Sequence, residues 1–143
     1  MPTVSVLMSV HNAPHYLESA IESVLQQSYR DFEFIVIDDG STDNTLERCE
    51  SFAARDSRIR LIPRTHEGLT KSLNHGLSLA NGELVARMDA DDLSHPERLA
   101  SQVQFLRNNR HLAAAGCIVD VIDDIGQHIV TWETATEHET IMW

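Results

Sequence analysis

The strongest constraint on the fold is an alternation of two patterns along the chain. Val4–Val10, Phe32–Ile37, Ile59–Ile62 and Leu84–Met88 are short, nearly continuous apolar runs. Between them, apolar residues recur at helical spacing: Leu17, Ala20, Ile21, Val24 and Leu25 in one stretch, Leu69, Leu73, Leu77 and Ala80 in another. A strand that is apolar throughout is covered on both faces, and helices supply the cover. The pattern predicts an α/β fold, a mostly parallel sheet with helices on both faces. At 143 residues the chain is long enough to bury a sizeable core and reads as one domain, residues 1–143.

Local signals set the expected boundaries. Asn12 reads as a helix N-cap with Pro14 in the first turn. Thr42 or Asp43 caps a second helix running to about Ala54, and Pro63 closes the third strand. Asn81-Gly82 reads as a left-handed helix stop. Ser94 or His95, then Pro96, opens a helix to about Asn108, with Leu99, Val103 and Leu106 as its stripe. Leu112–Ile122 is strand-like. After a turn at Asp123–Gln127, the alternating run His128–Trp132 completes an antiparallel hairpin added to the sheet. Glu137–Trp143 reads as the opening of a further helix.

Charge and cysteine content exclude some classes. The formal net charge is −11, from 11 Lys+Arg against 22 Asp+Glu. That balance argues against nucleic acid as partner, which calls for a basic footprint. No apolar run approaches the ~18 residues of a membrane span, and no basic segment precedes an apolar one at the N-terminus as in a secretory signal. Cys49 and Cys117 lack metal-ligand spacing and read as reduced, partly buried thiols of a cytosolic protein. His138-Glu139 has no second histidine at zinc-protease spacing.

The chemistry is expected where strands end. In an open parallel sheet, ligands bind beyond the carboxyl ends of the strands. Three such ends carry polar residues out of an apolar run: Ser9-Val10-His11-Asn12, Asp38-Asp39-Gly40-Ser41 and Asp89-Ala90-Asp91-Asp92. The last crowds three carboxylates into four positions. Two unit charges about 4 Å apart repel by about 4 kcal/mol at an effective dielectric near 20, so such a cluster calls for water or a bridging cation. Hard oxygen donors of this kind suit Mg²⁺ or Mn²⁺. Plainer readings stand beside these: Asp-Gly-Ser is also an ordinary turn, Asp92 either caps the turn before Pro96 or faces a metal, and His66-Glu67-Gly68 is a turn or part of a substrate entrance.

Together, Ser5–Asn12, Ile37–Thr45, Gly68–Asn74, Ala86–Asp92 and Pro96–Leu99 resemble the family-two inverting glycosyltransferases of the GT-A fold, over the whole chain and in order. The resemblance implies a nucleotide-diphosphate-sugar donor, usually a UDP-sugar, and Mn²⁺ or Mg²⁺ held through an Asp-x-Asp element. By position it places Ser9 beside the nucleobase and Asp39 as acceptor of the base's imide N–H. Asp89 would face the ribose or sugar, and Asp91, with Asp89 beside it, would hold the metal. Lys71 would approach the diphosphate or base. His11 stands where the family often has Tyr, and Leu73 where many members carry Arg, a contact then absent or supplied by Lys71 or Arg87. The catalytic base and acceptor site would lie beyond Trp143, so the chain reads as the donor-binding portion of a longer enzyme.

The implied setting is cell-surface polysaccharide or lipopolysaccharide synthesis in bacteria, with a saccharide or lipid-linked acceptor. The protein would be cytoplasmic, and association of the full-length protein with the inner face of the membrane, and self-association, are left open. The main alternative is a module that binds nucleotide and metal without catalysis. A nucleotidyltransferase would show a Gly-rich basic loop after the first strand. A receiver domain would leave Asp-Ala-Asp-Asp without a place.

Overall fold

The computed structural model describes residues 1–132, so the expected helix at Glu137–Trp143 lies outside the described residues. The residues fall into two compact units, Met1–Val103 and Gln104 onward. The first holds a four-stranded sheet in the order β3-β2-β1-β4, with β1 at Val4–Val10, β2 at Phe32–Asp39, β3 at Ile59–Arg64 and β4 at Leu84–Arg87. Every pairing in it is parallel.

Side chains alternate between two cores, as the period of a strand requires. Val4, Val6, Met8 and Val10 of β1 join Phe32, Phe34 and Val36 of β2 on one face. Three helices cover that face: α1 (Leu17–Leu25), α2 (Thr45–Ala53) and α4 (Arg98–Asn108), through Leu17, Ala20, Ile21, Val24, Cys49, Phe52, Leu99 and Val103. Leu7, Ile35 and Ile37 point to the other face, under α3 (Leu69–Leu79). Leu99 and Val103 are buried as the helical stripe predicts.

Several boundaries differ from the sequence expectation. Pro63 lies within β3, paired with Asp38. β3 is an edge strand, where a missing N–H costs no ladder bond. Asn12 does not cap α1, whose N-cap is Tyr16. The N-cap of α2 is Asn44, although Asp43 Oδ1 does accept from the Thr45 N–H at 3.0 Å. On α3 the buried positions are Ser72 and Gly76, whereas Leu69 and Leu77 are half exposed. The helix lies so close to the sheet that a Cβ on Gly76 would sit 2.7 Å from Ile37 Cδ1. Gly82 does not adopt a left-handed conformation. It is needed because a Cβ there would come within 2.5 Å of the Ser5 nitrogen.

In the second unit, β5 (Val119–Ile122) and β6 (His128–Trp132) pair antiparallel in a two-stranded sheet of their own. The turn between them is organised by Asp123 Oδ1, which accepts from Ile125 and Gln127 N–H groups, with Gly126 at φ 81. Leu112–Ile118 is not strand. Its Ala113-Ala114-Ala115-Gly116 core has little strand propensity and no bulk to pack. Cys49 is buried and Cys117 is exposed, unlike the partly buried pair expected. Burial, followed by the charge of Asp38, pushes the Cys49 thiol up to about 12, which leaves it an inert core group.

Candidate functional site

Parallel pairing brings the carboxyl ends of β1, β2 and β4 to one edge of the sheet, with β1 in the middle. The chain leaving β1 turns at Asn12, whose φ of 49 is a left-handed conformation that Asn tolerates better than most residues. Asn12 then ties the loop to its neighbour. Its Oδ1 accepts from the Thr42 N–H at 2.9 Å and its own N–H donates to Ser41 Oγ at 3.1 Å. The Ala13 N–H donates to Thr45 Oγ1 at 3.0 Å. Residues read as separate caps therefore form one joint between two strand ends.

On the β2 side, the strand runs on to Asp39, whose side chain is 3% exposed. Its Oδ1 accepts from Ser72 Oγ at 2.7 Å and the Glu67 N–H at 3.0 Å. Its Oδ2 accepts from the Gly68 N–H at 2.9 Å and faces His66 Nδ1 at 2.9 Å. A carboxylate offers about four lone-pair directions; Ser72, Glu67 and Gly68 take three of them, and His66 Nδ1, hydrogen-bonded to the Asp39 carbonyl, lies 2.9 Å from Oδ2. Burial works against the charge, but the bonds from Ser72, Glu67 and Gly68 and the nearby His66 outweigh it and lower the carboxyl to about 2. Gly40 follows at φ 70, and a Cβ there would lie 2.5 Å from the His66 nitrogen. The His66-Glu67-Gly68 turn is thus clamped onto the end of β2.

His11 and His66 form a stacked pair above this clamp. Their ring centroids are 4.2 Å apart and tilted by 30°. Both Nδ1 atoms approach the Asp39 carbonyl oxygen, at 2.9 and 3.0 Å. A carbonyl only accepts, so His11 carries a proton on Nδ1, leaving Nε2 to accept from Asn12 Nδ2 at 3.2 Å. Lys71 stands apart, with a side chain 68% exposed and its ammonium 3.4 Å from Glu67 Oε1. Glu67 also pairs with Arg64.

The β4 side is built differently. The Met88 N–H donates to the Leu7 carbonyl at 2.9 Å and carries the pairing one residue past β4. Asp89 then meets Arg87 through two bonds of 3.0 Å each. Asp91 and Asp92 are exposed. Burial, then repulsion from Asp91 and Asp89, raises the Asp92 carboxyl above its ordinary value, although Arg98 and Arg87 pull the other way. The cap next to Pro96 belongs to His95, whose Nδ1 accepts from the Glu97 N–H at 3.2 Å.

This loop has a support that sequence reasoning missed. Gln27, fully buried, donates from Nε2 to Ser94 Oγ at 3.2 Å and the His95 carbonyl at 2.7 Å. Its Oε1 accepts from the Leu99 N–H at 3.0 Å. Ser94 N–H donates to Ser23 Oγ at 3.0 Å. The signal was present: Gln27 continues the apolar stripe of Leu17, Ala20 and Val24, and an amide on a buried face needs partners.

Between the two sides lies a cleft of about 480 Å³, lined by Ser9 to Tyr16, Leu69, Arg87 and Asp89 to Asp91. It unites Ser9, His11, Asp89 and Asp91 of the expected site residues. Asp39 reaches it through His11, and Lys71 lies outside. A separate hollow of about 380 Å³ is lined by Glu22, Leu25, Gln26, Phe52, Arg55, Asp56 and Arg58. Arg58 there is already paired with Asp56 at 2.7 Å. Among the described residues, no three His, Cys, Asp or Glu side chains converge as a metal cage. The exposed Asp91 oxygens beside the cleft instead fit a hard cation held by one or two carboxylates and completed by phosphate and water.

The sequence matches the family model for glycosyl transferase family 2 over residues 5–141. The chain belongs to that family. A Bacillus subtilis (strain 168) protein named as a glycosyltransferase, EpsE, is 47% identical over 127 residues, covering 87% of this chain and 46% of its own length. A mannosyltransferase from Pyrobaculum calidifontis, PcManGT, solved with GDP-Man and Mn²⁺, superposes with a TM-score of 0.68 at 30% identity. That match covers 73% of this chain and 32% of the mannosyltransferase. S. aureus TarS 1-349, solved with UDP-GlcNAc, gives 0.71 at 29% identity, over 77% and 32% of the two chains. The family-2 chain described here thus spans less than half the length of these relatives. It has the GT-A fold of its structural neighbours, with the mostly parallel sheet expected. Among the described residues, no helix is long and apolar enough to cross a membrane.

Proposed function

We propose that this chain is the donor-binding portion of an inverting glycosyltransferase that takes a nucleotide-diphosphate sugar, in the first instance a UDP-sugar, with Mn²⁺ or Mg²⁺. The observation that carries the reading is the shared cleft, in which Ser9 and His11 from the end of β1 face Asp89 and Asp91 from the end of β4. In this family member, Ser9 and His11 bound the nucleobase end, and His11 offers a ring face held in place by Asp39. A direct bond from a base N–H to the Asp39 carboxylate requires His66 to leave Oδ2. His66 is the mostly exposed side chain in contact with that carboxylate, at 59%.

Asp91, with Asp89 next to it, would hold the cation, which when bound supplies charge stabilisation for the departing diphosphate. The chain's own contribution is positioning. Gln27 and Ser94 fix the loop that carries Asp91, and the Asn12 joint fixes the opposite wall. Inversion calls for a base that deprotonates the acceptor hydroxyl as it attacks; we assign that base and the saccharide or lipid-linked acceptor to a part of the enzyme beyond Trp143. The same reading places the enzyme in cytoplasmic synthesis of cell-surface polysaccharide.

Calorimetric titration with UDP and GDP, each with and without Mn²⁺, tests this. The expected result is binding that depends on Mn²⁺ and falls at least about 100-fold in Asp91→Ala, beyond the 10–100-fold typical of an indirect partner. Absence of binding by either nucleotide with Mn²⁺ present overturns it. Sugar release from a donor panel separates a transferase from a module that only binds.

A further inference from the structure

A nucleoside diphosphate brings two or more negative charges into a cleft that already holds Asp89 and Asp91. A bound divalent cation meets part of that charge, and a cationic side chain beside it would meet more. Among the described residues, Arg87 is the one Lys or Arg lining the cleft. Lys71 is not in the lining, and its ammonium is turned to Glu67. Leu73 packs into the core beneath α3 and carries no charge.

The guanidinium of Arg87 is held ready for such a ligand. Nε and a terminal nitrogen each donate to one Asp89 oxygen at 3.0 Å, a fork that matches phosphate as well as carboxylate. The pair is open to water, with side chains 58% and 43% exposed. Exposed pairs contribute little to stability, so this one exchanges partners at small cost. The Arg87 backbone does not have to follow, because its carbonyl accepts from Arg98 at 2.9 Å. β4 pairing with β1 fixes the same segment, Leu7 opposite Arg87.

We propose that Arg87 is the diphosphate-binding residue of this cleft, exchanging its pairing with Asp89 for phosphate oxygens when donor binds. The exchange frees the Asp89 carboxylate, which the proposed reading of the site gives to the cation and the sugar end. This rests on the reading of the cleft as a nucleoside-diphosphate site, and goes beyond it by naming the residue that recognises the phosphates.

The test is titration of the full chain with UDP and GDP in the presence of Mn²⁺, with uridine and guanosine followed by NMR shifts as phosphate-free comparators. Arg87→Gln is expected to weaken UDP or GDP binding at least tenfold while leaving the nucleoside shifts unchanged. Arg87→Lys should recover part of the loss, and the dependence of binding on salt should flatten in Arg87→Gln. The loss should exceed that of Lys71→Ala. Without Mn²⁺, Asp89→Asn should tighten UDP binding several-fold by releasing the guanidinium. If wild type binds and Arg87→Gln binds UDP and GDP within twofold of it, Arg87 is not the contact although the site reading stands. Equal loss of nucleoside and nucleotide makes Arg87 a structural residue and overturns the proposal. If wild type binds neither nucleotide, both readings fall together.

Discussion

The two strand ends that flank β1 carry the same side chain in opposite circumstances. Asp39 is buried, and its carboxylate accepts three hydrogen bonds with His66 beside it. Asp91 is exposed on the cleft, two residues from an Asp89 whose partner is a half-solvated arginine. On the proposed reading, the supply of donors separates a carboxylate whose charge the fold already meets from one left for a bound cation. The α3 side delivers backbone N–H groups and Ser72 to Asp39, and the loop after β4 brings further carboxylates instead. An anion with its donors in place stabilises the fold, whereas crowded anions favour a ligand that brings positive charge.

The sharpest way to break this comparison is to remove Asp39. Asp39→Ala leaves the Glu67 and Gly68 N–H groups and Ser72 without their acceptor, and should cost about 3–5 kcal/mol in chemical denaturation. A cost below ~1 kcal/mol would make the clamp a surface feature. Next comes Gly40→Ala, which meets both a φ of 70 and the His66 nitrogen at 2.5 Å. A loss of about 2–3 kcal/mol is expected, together with altered NMR shifts confined to His66–Gly68 and His11. Shifts spread evenly through the sheet would argue against a local clamp.

The smallest effect is in acid. The Asp39 carboxyl titrates near 2 in the folded protein, against about 3.9 for an unfolded aspartate. Its contribution is fully present above about pH 4 and is lost as pH falls toward 2. Melting temperatures of wild type and Asp39→Asn should therefore converge over that window. Curves that stay parallel from pH 5 to pH 2 would mean that Asp39 is not ionised in the fold.

The sequence made the scaffold legible where pattern and packing agree. β1 lies at Val4–Val10 as its apolar run indicates, and α1 and α4 bury Leu17, Ala20, Ile21, Val24, Leu99 and Val103 of their stripes, with Leu25 and Leu106 partly covered. The reading failed where backbones approach closely. Leu69 and Leu77 outweighed Ser72 and Gly76 in a hydrophobic count, yet the small residues face the sheet because only they allow the helix so near. Gly82 looked like a turn glycine for the same reason. In the site, polar strand ends marked Ser9, His11, Asp89 and Asp91, since a polar residue leaving an apolar strand is visible in one dimension. The bonding of the Asp39 carboxylate was not visible, because its donors sit 28 to 33 residues away and two of them are backbone groups. Gln27 was legible in principle as the polar member of a buried stripe.

The most direct measurement is the melting temperature of wild type and Asp91→Ala, alone and with saturating UDP or GDP plus Mn²⁺. A ligand at about 100 times its Kd stabilises the native state by about 2.7 kcal/mol, a shift of several degrees. The account predicts that rise in wild type and its disappearance in Asp91→Ala, with both proteins melting at the same temperature when ligand-free. An Asp91→Ala protein that keeps the rise, or that already melts several degrees lower without ligand, would contradict the proposal that Asp91 serves the ligand and not the fold.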